Sequence, residues 1–392
     1  MHYKYFTEKL LNLQGVIVTD VILKEETNEI HLDLVKKECT CPRCNSKTSK
    51  VHDYRLQKVK DVPTFSKDTI LIIRKRRYVC ESCSKRFYEK LDFLPRYYRI
   101  TIRVIASILE ELSQLVSYKQ VSRRLNLSVT TIVRIFDKIS YPKIKATPKV
   151  IAIDEFKGNA GNEKYLAIIT DVENKKVLDI LPNRTYEHLV TYFNKIDKSK
   201  TEFFVSDMWK PYRGLKNTHF KNSKLITDKY HFVRQVIWDF EKVRKDEQKK
   251  LSKTYRVTFK LSKSLLNKRF DTLKDYEKQK VKNIFRISSK FEEVHGLKEN
   301  FLDILTEDDF NNQKLLLNDW LSTAYAYDIK EFQASTTAIT NWHDSINNAF
   351  ESGYSNGFTE GCNNKIKVLK RVSYGVRNFN RFRNRILHIF NY

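Results

Sequence analysis

Val150-Ile151-Ala152-Ile153 runs without a polar break into Asp154, with Pro148 just ahead and Gly158-Asn159-Ala160-Gly161 just behind. An apolar run this short, bounded by turn formers, predicts a buried strand that ends at Asp154. A carboxylate delivered by such a strand is costly to desolvate unless a cation or a hydrogen-bond network holds it. The chain must therefore surround Asp154 with a partner of that kind. Glu155 comes next and, because neighbours on a strand alternate, is expected to face the other way. Two later acids, Asp207 and Glu360, stand in comparably pointed settings.

The segments around these acids have a definite order. Tyr165–Thr170 and Lys176–Leu181 read as a second and third strand joined by a turn at Glu173-Asn174. Thr185–Ile196 reads as a helix. Glu202–Val205 is a fourth strand that delivers Ser206 and Asp207, and Trp209–Leu215 opens the next helix. Lys224–Ile226 is a short fifth strand, running into Thr227-Asp228-Lys229-Tyr230-His231-Phe232. Although taken alone it also fits other α/β layouts, three strands, helix, strand, helix, strand is the order of the ribonuclease H-like fold. There, strands one and four adjoin, so Asp154 and Asp207 would emerge side by side. From about Phe232 to Trp342, Lys, Glu and Gln are dense, glycine nearly vanishes, and spaced apolar residues predict long helices. A turn-rich approach, Glu351 to Gly357, then leads to Phe358-Thr359-Glu360, after which Ile366 and Leu369 resume a helical spacing. Beyond Glu360 there is no acid, but there are eight Lys or Arg residues.

Basic residues also dominate elsewhere. Lys and Arg total 73 against 47 Asp and Glu, a formal net charge of +26, which favours a polyanionic partner. No apolar run reaches the roughly 18–20 residues of a membrane span. The opening MHYKYFTEKLLNLQG lacks a signal peptide's apolar centre, so a cytoplasmic protein, on the nucleoid when bound, is expected. Residues 1–35 read as a short helix and two strands, Val16–Leu23 and Ile30–Val35, turning at Thr27-Asn28. Cys41-Pro42-Arg43-Cys44 and Cys80-Glu81-Ser82-Cys83 follow, two CxxC knuckles whose four thiolates suit tetrahedral Zn²⁺ in a reducing compartment. Cys39 is an extra thiol that could replace Cys41, and His52 could also enter the set. Between Lys36 and Arg99 there are 18 basic and 7 acidic residues, and Arg74-Lys75-Arg76-Arg77 is placed to meet phosphates.

Residues 101–139 read as all-helical, with Ile102, Ile105, Ile108 and Leu109 on one apolar face. VSYKQVSRRLNLSVTTIVRIFDKI then follows a helix-turn-helix pattern. Val121 and Leu125 face the core, Asn126-Leu127 turns the chain and Ser128 caps a second helix. In that helix Ile132, Val133 and Phe136 are expected to be buried, while Thr130, Thr131 and Arg134 look outward to a DNA groove. After Glu360, Lys367, Lys370 and Arg371 are further candidates for phosphate contacts.

Carboxylates on rigid elements are what two-metal phosphodiester chemistry requires, with the ions roughly 3.5–4 Å apart and one carboxylate bridging them. Oxygen ligands suit Mg²⁺ or Mn²⁺. Asp154 is assigned the bridging place, Asp207 one ion and Glu360 the other. Asp228 and His231 are auxiliary candidates, with His231 able to touch the scissile phosphate or to be merely structural.

CPRC, the ESC of the second knuckle, the helix-turn-helix, IAIDEF, VSDMWKPY, DKYHFVRQ and SNGFTEGCNNKIKVLKRVSYGVRNFNRF occur in one order from about residue 39 to 385. In this the chain resembles bacterial insertion-sequence transposases of the ISL3 family, which carry a DDE triad in a ribonuclease H-like core. The resemblance implies that Asp154, Asp207 and Glu360 bind catalytic metals and that the N-terminal modules recognise terminal inverted repeats. It also implies excision and insertion of a mobile element by hydrolytic nicking at its ends and 3′-OH attack on target DNA. Double-stranded DNA, as element ends and target, is the implied partner, held by a dimer or higher assembly.

The architecture expected is multidomain. A bracing segment (1–38), a zinc-ribbon-like basic module (39–98) and a helix-turn-helix (99–140) precede an α/β ribonuclease H-like core. That core spans 149–240, is interrupted by an α-helical insertion (241–345) and is completed by 346–392. Three rivals stand beside this reading. A nuclease or resolvase would cut without joining, a zinc-containing regulator would bind without cutting, and an RNA-binding protein would prefer structured RNA.

Overall fold

The computed structural model describes residues 2–158, 160 and 163–392. The predicted Gly158-Asn159-Ala160-Gly161 turn therefore lies partly outside the described residues. A short helix, α1 (His2–Leu11), leads into strands β1 (Val16–Leu23) and β2 (Thr27–Leu34). The link between them falls at residues 24–26, just before the expected Thr27-Asn28, because Thr27 and Asn28 already pair in the sheet. A small ribbon, β3 (Cys39–Thr40) with β4 (Lys47–Thr48), carries the first knuckle. The long hairpin of β5 (Val51–Thr64) and β6 (Lys67–Val79) and the short β7 (Arg86–Tyr88) follow. The strands order as β1-β2-β6-β5, with β7 on β6, so the N-terminal segment and the zinc module share one sheet. Val18, Ile30, Leu32, Val59, Leu71 and Ile73 are buried together there.

Helices α2 (Ile102–Ser113), α3 (Tyr118–Arg124) and α4 (Val129–Phe136) form the helix-turn-helix region. Ser117 closes a capping box on α3, and Ser128 accepts the Thr131 amide at the start of α4. The buried face of α4 is Ile132, Ile135 and Phe136, whereas Val133 is half-exposed, one step off the predicted stripe. In α2 the buried face is Val104, Ile108 and Leu112, and Ile102 is exposed. The buried Asp61 of β5 accepts from Thr101 at 2.6 Å and is paired with Arg103, which ties this region to the first sheet.

The second sheet is built by β8 (Val150–Lys157), β9 (Tyr165–Asp171), β10 (Lys176–Leu181), β11 (Phe203–Ser206) and β12 (Lys224–Thr227). Helix α5 (Tyr186–Phe193) precedes β11, and α6 (Lys210–His219) lies between β11 and β12. The strand order is β10-β9-β8-β11-β12, antiparallel among the first three and parallel from β8 onward. Strand one does not end at Asp154. Pairing with β9 carries it on to Lys157 opposite Tyr165, because hairpin partners extend one another past the acid. Between β12 and the closing helices the chain is helical: α7 (Lys229–Lys250), α8 (Lys253–Leu261), α9 (Lys263–Asn267), α10 (Asp275–Phe285), α11 (Ser289–Ile304), α12 (Phe310–Ala326), α13 (Gln333–Asn341) and α14 (His343–Ser352). These helices bury Phe240, Phe259, Phe291 and Phe301 in a core of their own. Among the described residues, no helix is long and apolar enough to cross a membrane.

Two helices complete the chain, α15 (Gly357–Val372) and α16 (Phe379–Asn391). α16 fastens the helix-turn-helix region to the second sheet. Arg385, only 2% exposed, donates to the carbonyls of Gln114 and Val116, both at 2.9 Å. Arg381 pairs with Asp137 at 2.6 Å, and Arg383 with Asp179 at 2.6 Å. His388 Nε2 lies 2.7 Å from the Leu109 carbonyl and so must carry the proton, leaving Nδ1 to accept from the Tyr141 hydroxyl at 2.7 Å. Arg381, Arg383 and Arg385, among the eight basic residues beyond Glu360, are thus used inside the molecule. Arg385→Ala would leave the Val116 carbonyl without its donor, while the Gln114 carbonyl keeps the Val116 amide, and is expected to cost about 1–3 kcal/mol in urea unfolding. The exposed Arg371→Ala should cost nothing measurable in the same experiment.

Candidate active site and zinc module

The register of β8 and β11 places the first two acids. Val205 pairs with Ala152 on parallel strands, and Asp207 and Asp154 each lie two residues beyond that pair. They therefore lie at one level on adjacent strands, Asp154 within β8 and Asp207 just past the end of β11. Alternation along β8 sends Ile151 and Ile153 into the core under α5 and α6, and Phe156 into the core under α15 and α16. Asp154 shares the second face, where its Oδ2 accepts from Asn363 Nδ2 at 2.9 Å and its Oδ1 from the Glu155 amide at 2.7 Å. Glu155 faces the other way, paired with Arg184 and bonded by the Tyr212 hydroxyl at 3.3 Å.

Glu360 lies in the first turn of α15 and is brought together with Asp228 and His231. One ligand atom of each lies within 4.8 Å of the others. Asp228, at the start of α7, is buried; its Oδ1 accepts the Asn356 amide at 2.9 Å, and its Oδ2 has no hydrogen-bond partner. His231 follows one turn later with Arg234 donating to its Nδ1 at 3.2 Å, and burial pushes its pKa down. Glu360 thus stands in this cluster, which neither Asp154 nor Asp207 joins; these two are level on adjacent strands, with Asp207 lining a cavity beside Glu155 and Arg184. Charge links these groups. Burial pushes the Asp154 carboxyl up to about 6, helped by Glu155, Glu360 and Asp228. Burial pushes Asp207 up to about 7, helped by Glu155 and Asp154, and Glu360 is raised by burial and by Asp228.

A cavity of about 690 Å³ opens beside this edge, lined by Glu155, Asp207, Trp209, His231, Arg234 and Trp342 among others. Arg184 and Arg234 put cations among its acids. No periodicity marks Arg184 or Asn363 in the sequence, and only the DKYHFVRQ segment hints at Arg234.

The raised carboxyls set a pH dependence. In the metal-free protein Asp154 and Asp207 keep protons that the unfolded chain has released above about pH 4. Their contribution to stability is full below about pH 4 and is lost as the pH rises through about 6 and about 7. The melting temperature measured in chelator should fall between about pH 5 and pH 8, with a flatter slope in Asp207→Asn. Parallel curves for the two proteins would contradict this.

In the N-terminal module Cys41, Cys44, Cys80 and Cys83 converge, their sulfurs all within 4.8 Å. Cys41 and Cys83 are 3.6 Å apart, and Cys44 and Cys80 3.5 Å. A tetrahedral Zn²⁺ with Zn–S near 2.3 Å requires sulfur pairs about 3.8 Å apart, so the set fits a structural zinc. Neither Cys39 nor His52 belongs to this cluster.

The candidate DNA contacts divide. Arg74 is exposed, and Lys75 and Arg77 are half-exposed. Arg76 is not available to phosphate: it is buried, bonded to the Leu34 and Val35 carbonyls and paired with Glu89. Lys75 and Arg77, on either side of Arg76, fall on the opposite face, as strand geometry requires. Thr130 and Arg134 are exposed, but Thr131 is half-buried and its hydroxyl lies 2.8 Å from that of Ser128, within the helix cap. Lys367 and Arg371 are exposed, whereas Lys370 is half-buried and donates to the Lys157 carbonyl.

Known proteins resemble this chain in sequence. Residues 151–386 match the DDE family of ISL3 described as "Transposase". Residues 37–83 match the "zinc-finger of transposase IS204/IS1001/IS1096/IS1165", and residues 89–140 the "Helix-turn-helix domain of transposase family ISL3". The transposase for insertion sequence element IS1001 of Bordetella parapertussis is 25% identical over 387 residues, covering 94% of each chain. A Lactococcus lactis protein named "ATP-dependent protease" is 37% identical over 95 residues, which is 24% of this chain and 28% of that one. The catalytic-domain match alone spans more than half of the chain, and the three matches together follow the order of zinc module, helix-turn-helix and α/β domain. The chain belongs to the ISL3 family of transposases, enzymes that transpose DNA.

Proposed function

We propose that Asp154, Asp207 and Glu360 hold divalent ions, Mg²⁺ or Mn²⁺, and that this centre cuts DNA at the ends of its insertion sequence and joins the freed 3′-OH to target DNA. The observation that carries the reading is the place of Asp154. It lies level with Asp207 on adjacent strands, and the Glu360 and Asp228 carboxylates from the helical side disfavour its charge, a repulsion that a divalent cation among them would relieve. The donor set suits a hard cation: the groups are oxygens, and Asp207 Oδ1 and Asp228 Oδ2 are buried without hydrogen-bond partners. The grouping of Asp228 with Glu360 and His231 favours Asp228 as an added ligand on that side. When bound, such ions lower the pKa of the attacking water or hydroxyl and stabilise the departing 3′ oxygen.

The chain's own residues fix and select. The carboxylates are set on a sheet edge and two helix starts, rigid supports for ligand geometry. Arg184 and Arg234 can meet phosphates across the cavity. Exposed Arg74, Thr130 and Arg134 contact the terminal inverted repeats, and Lys367 and Arg371 contact DNA near the centre. Zn²⁺ holds the four-cysteine knuckles. Two ends are joined in one reaction, so the working form is a dimer or larger assembly on DNA. The domain divisions at 38, 98, 140, 240 and 345 belong to the same proposal.

The test is a cleavage and strand-transfer assay on DNA carrying the repeats that flank the gene, with Mg²⁺ or Mn²⁺. Breaks at both repeats with joined products support the reading. Breaks without joining indicate a nuclease, and specific binding without breaks in either metal a regulator.

A further inference from the structure

We propose that Asn363 is a positioning residue of the catalytic centre, fixing the Asp154 carboxylate from the same helix that supplies Glu360. The inference rests on Asp154 being a metal-holding carboxylate. Asn363 is 7% exposed, and its Nδ2 donates to Asp154 Oδ2 at 2.9 Å while lying 3.4 Å from the Glu155 carbonyl oxygen. A backbone carbonyl can only accept, and so can an ionised carboxylate, so the atom facing them must be the amide nitrogen. The other Asp154 oxygen, Oδ1, is held by the Glu155 amide at 2.7 Å. Each carboxylate oxygen therefore has one donor, which fixes the plane of the group. An ionised carboxylate has about four acceptor positions, so one on each oxygen remains for a cation.

The chemistry of the residue matters as much as its place. Lys or Arg here would orient Asp154 equally well, but its positive charge would repel a divalent ion. An amide supplies the hydrogen bond with no net charge. Asn363 also lies one helical turn after Glu360, so the two occupy one face of α15. That helix is pinned twice more near its start. The Thr359 hydroxyl meets that of Thr170 on β9 at 2.8 Å, and the Asn356 amide donates to Asp228. A shift of α15 would therefore move Glu360 and reorient Asp154 together. Groups that orient metal ligands typically change metal affinity or activity by about 10–100-fold when removed.

The experiment measures Mn²⁺ binding to the full-length protein by electron paramagnetic resonance of the free ion, with no DNA present. It compares wild type, Asn363→Ala, the similar-volume Asn363→Leu and Asp154→Asn. Both Asn363 variants should weaken the tightest carboxylate-dependent Mn²⁺ site by about 10–100-fold. They should raise the Mg²⁺ needed for half-maximal cleavage by a similar factor, with end binding unchanged. Wild-type Mn²⁺ affinity and an unshifted Mg²⁺ curve in a folded Asn363 variant overturn the proposal. Failure of both variants to fold would also overturn it, assigning Asn363 to the fold alone. If Asp154→Asn itself binds Mn²⁺ and cleaves like wild type, the metal reading of Asp154 fails instead, whatever the Asn363 variants do.

Discussion

Asp154→Asn should abolish cleavage and strand transfer while making the metal-free protein more stable. The two effects share one cause. The carboxylate sits where burial, Glu155, Glu360 and Asp228 all disfavour its charge. A neutral isostere removes that repulsion but, having one acceptor oxygen, keeps only one of the two hydrogen bonds that Asp154 accepts. The melting temperature in chelator should therefore show a net rise of a few degrees at about pH 8, as expected for roughly 1 kcal/mol. The same charge is what a divalent ion requires. Its loss is expected to lower cleavage by roughly 10³–10⁵-fold, about 4–7 kcal/mol of transition-state stabilisation. Asp207→Asn and Glu360→Gln should fall in the same range, and the double variants should lose little more, because ligands of one centre act as a unit. Binding to element ends should survive in all of them. A variant that lost activity and melted lower in chelator would point to misfolding rather than to a missing ligand. Retained cleavage in Asp154→Asn would remove the proposed centre altogether.

Much of this was legible in the sequence where local chemistry decides structure. The VIAID run became the central strand, and the strand order put Asp207 beside it, because apolar runs between turn formers pair in few ways. Ser128 announced the start of α4 because an N-cap is a local device. What stayed hidden depends on contacts distant in sequence. Arg76 reads as part of an exposed basic run, yet β2 beside β6 buries it against the carbonyls of Leu34 and Val35. Asp228 and Glu360 are 132 residues apart and meet where the Asn356 amide, at the start of α15, donates to Asp228 between β12 and α7. The basic tail looked like a phosphate-binding helix, but Arg381, Arg383 and Arg385 face acids and carbonyls of other segments. Composition counts charges and cannot say which of them are already paired.

Cys44→Ser should reduce zinc content from one ion per chain to none and uncouple DNA-end recognition from catalysis. Four thiolates at zinc-like spacing join two hairpin knuckles that bracket the β5–β6 hairpin, from Cys41 to Cys83. Structural zinc sites bind with roughly 10–16 kcal/mol in small peptides that otherwise stay unfolded. Here the loss should be partial and local, because the first sheet has an apolar core of its own around Val18, Leu32, Val59 and Leu71. The knuckles should open while the sheet and the catalytic core persist. The expected signature is a large fall in affinity for the terminal repeats with an unchanged melting transition of the catalytic core. Cys80→Ser should behave alike. Cys39→Ser is the control, since Cys39 pairs in the β3–β4 ribbon and stands outside the four-sulfur cluster. It should keep its zinc and its affinity. Equal zinc loss in Cys39→Ser and Cys44→Ser would mean that the ligand set is different, and zinc retained in Cys44→Ser would mean that the knuckles do not bind it as a foursome.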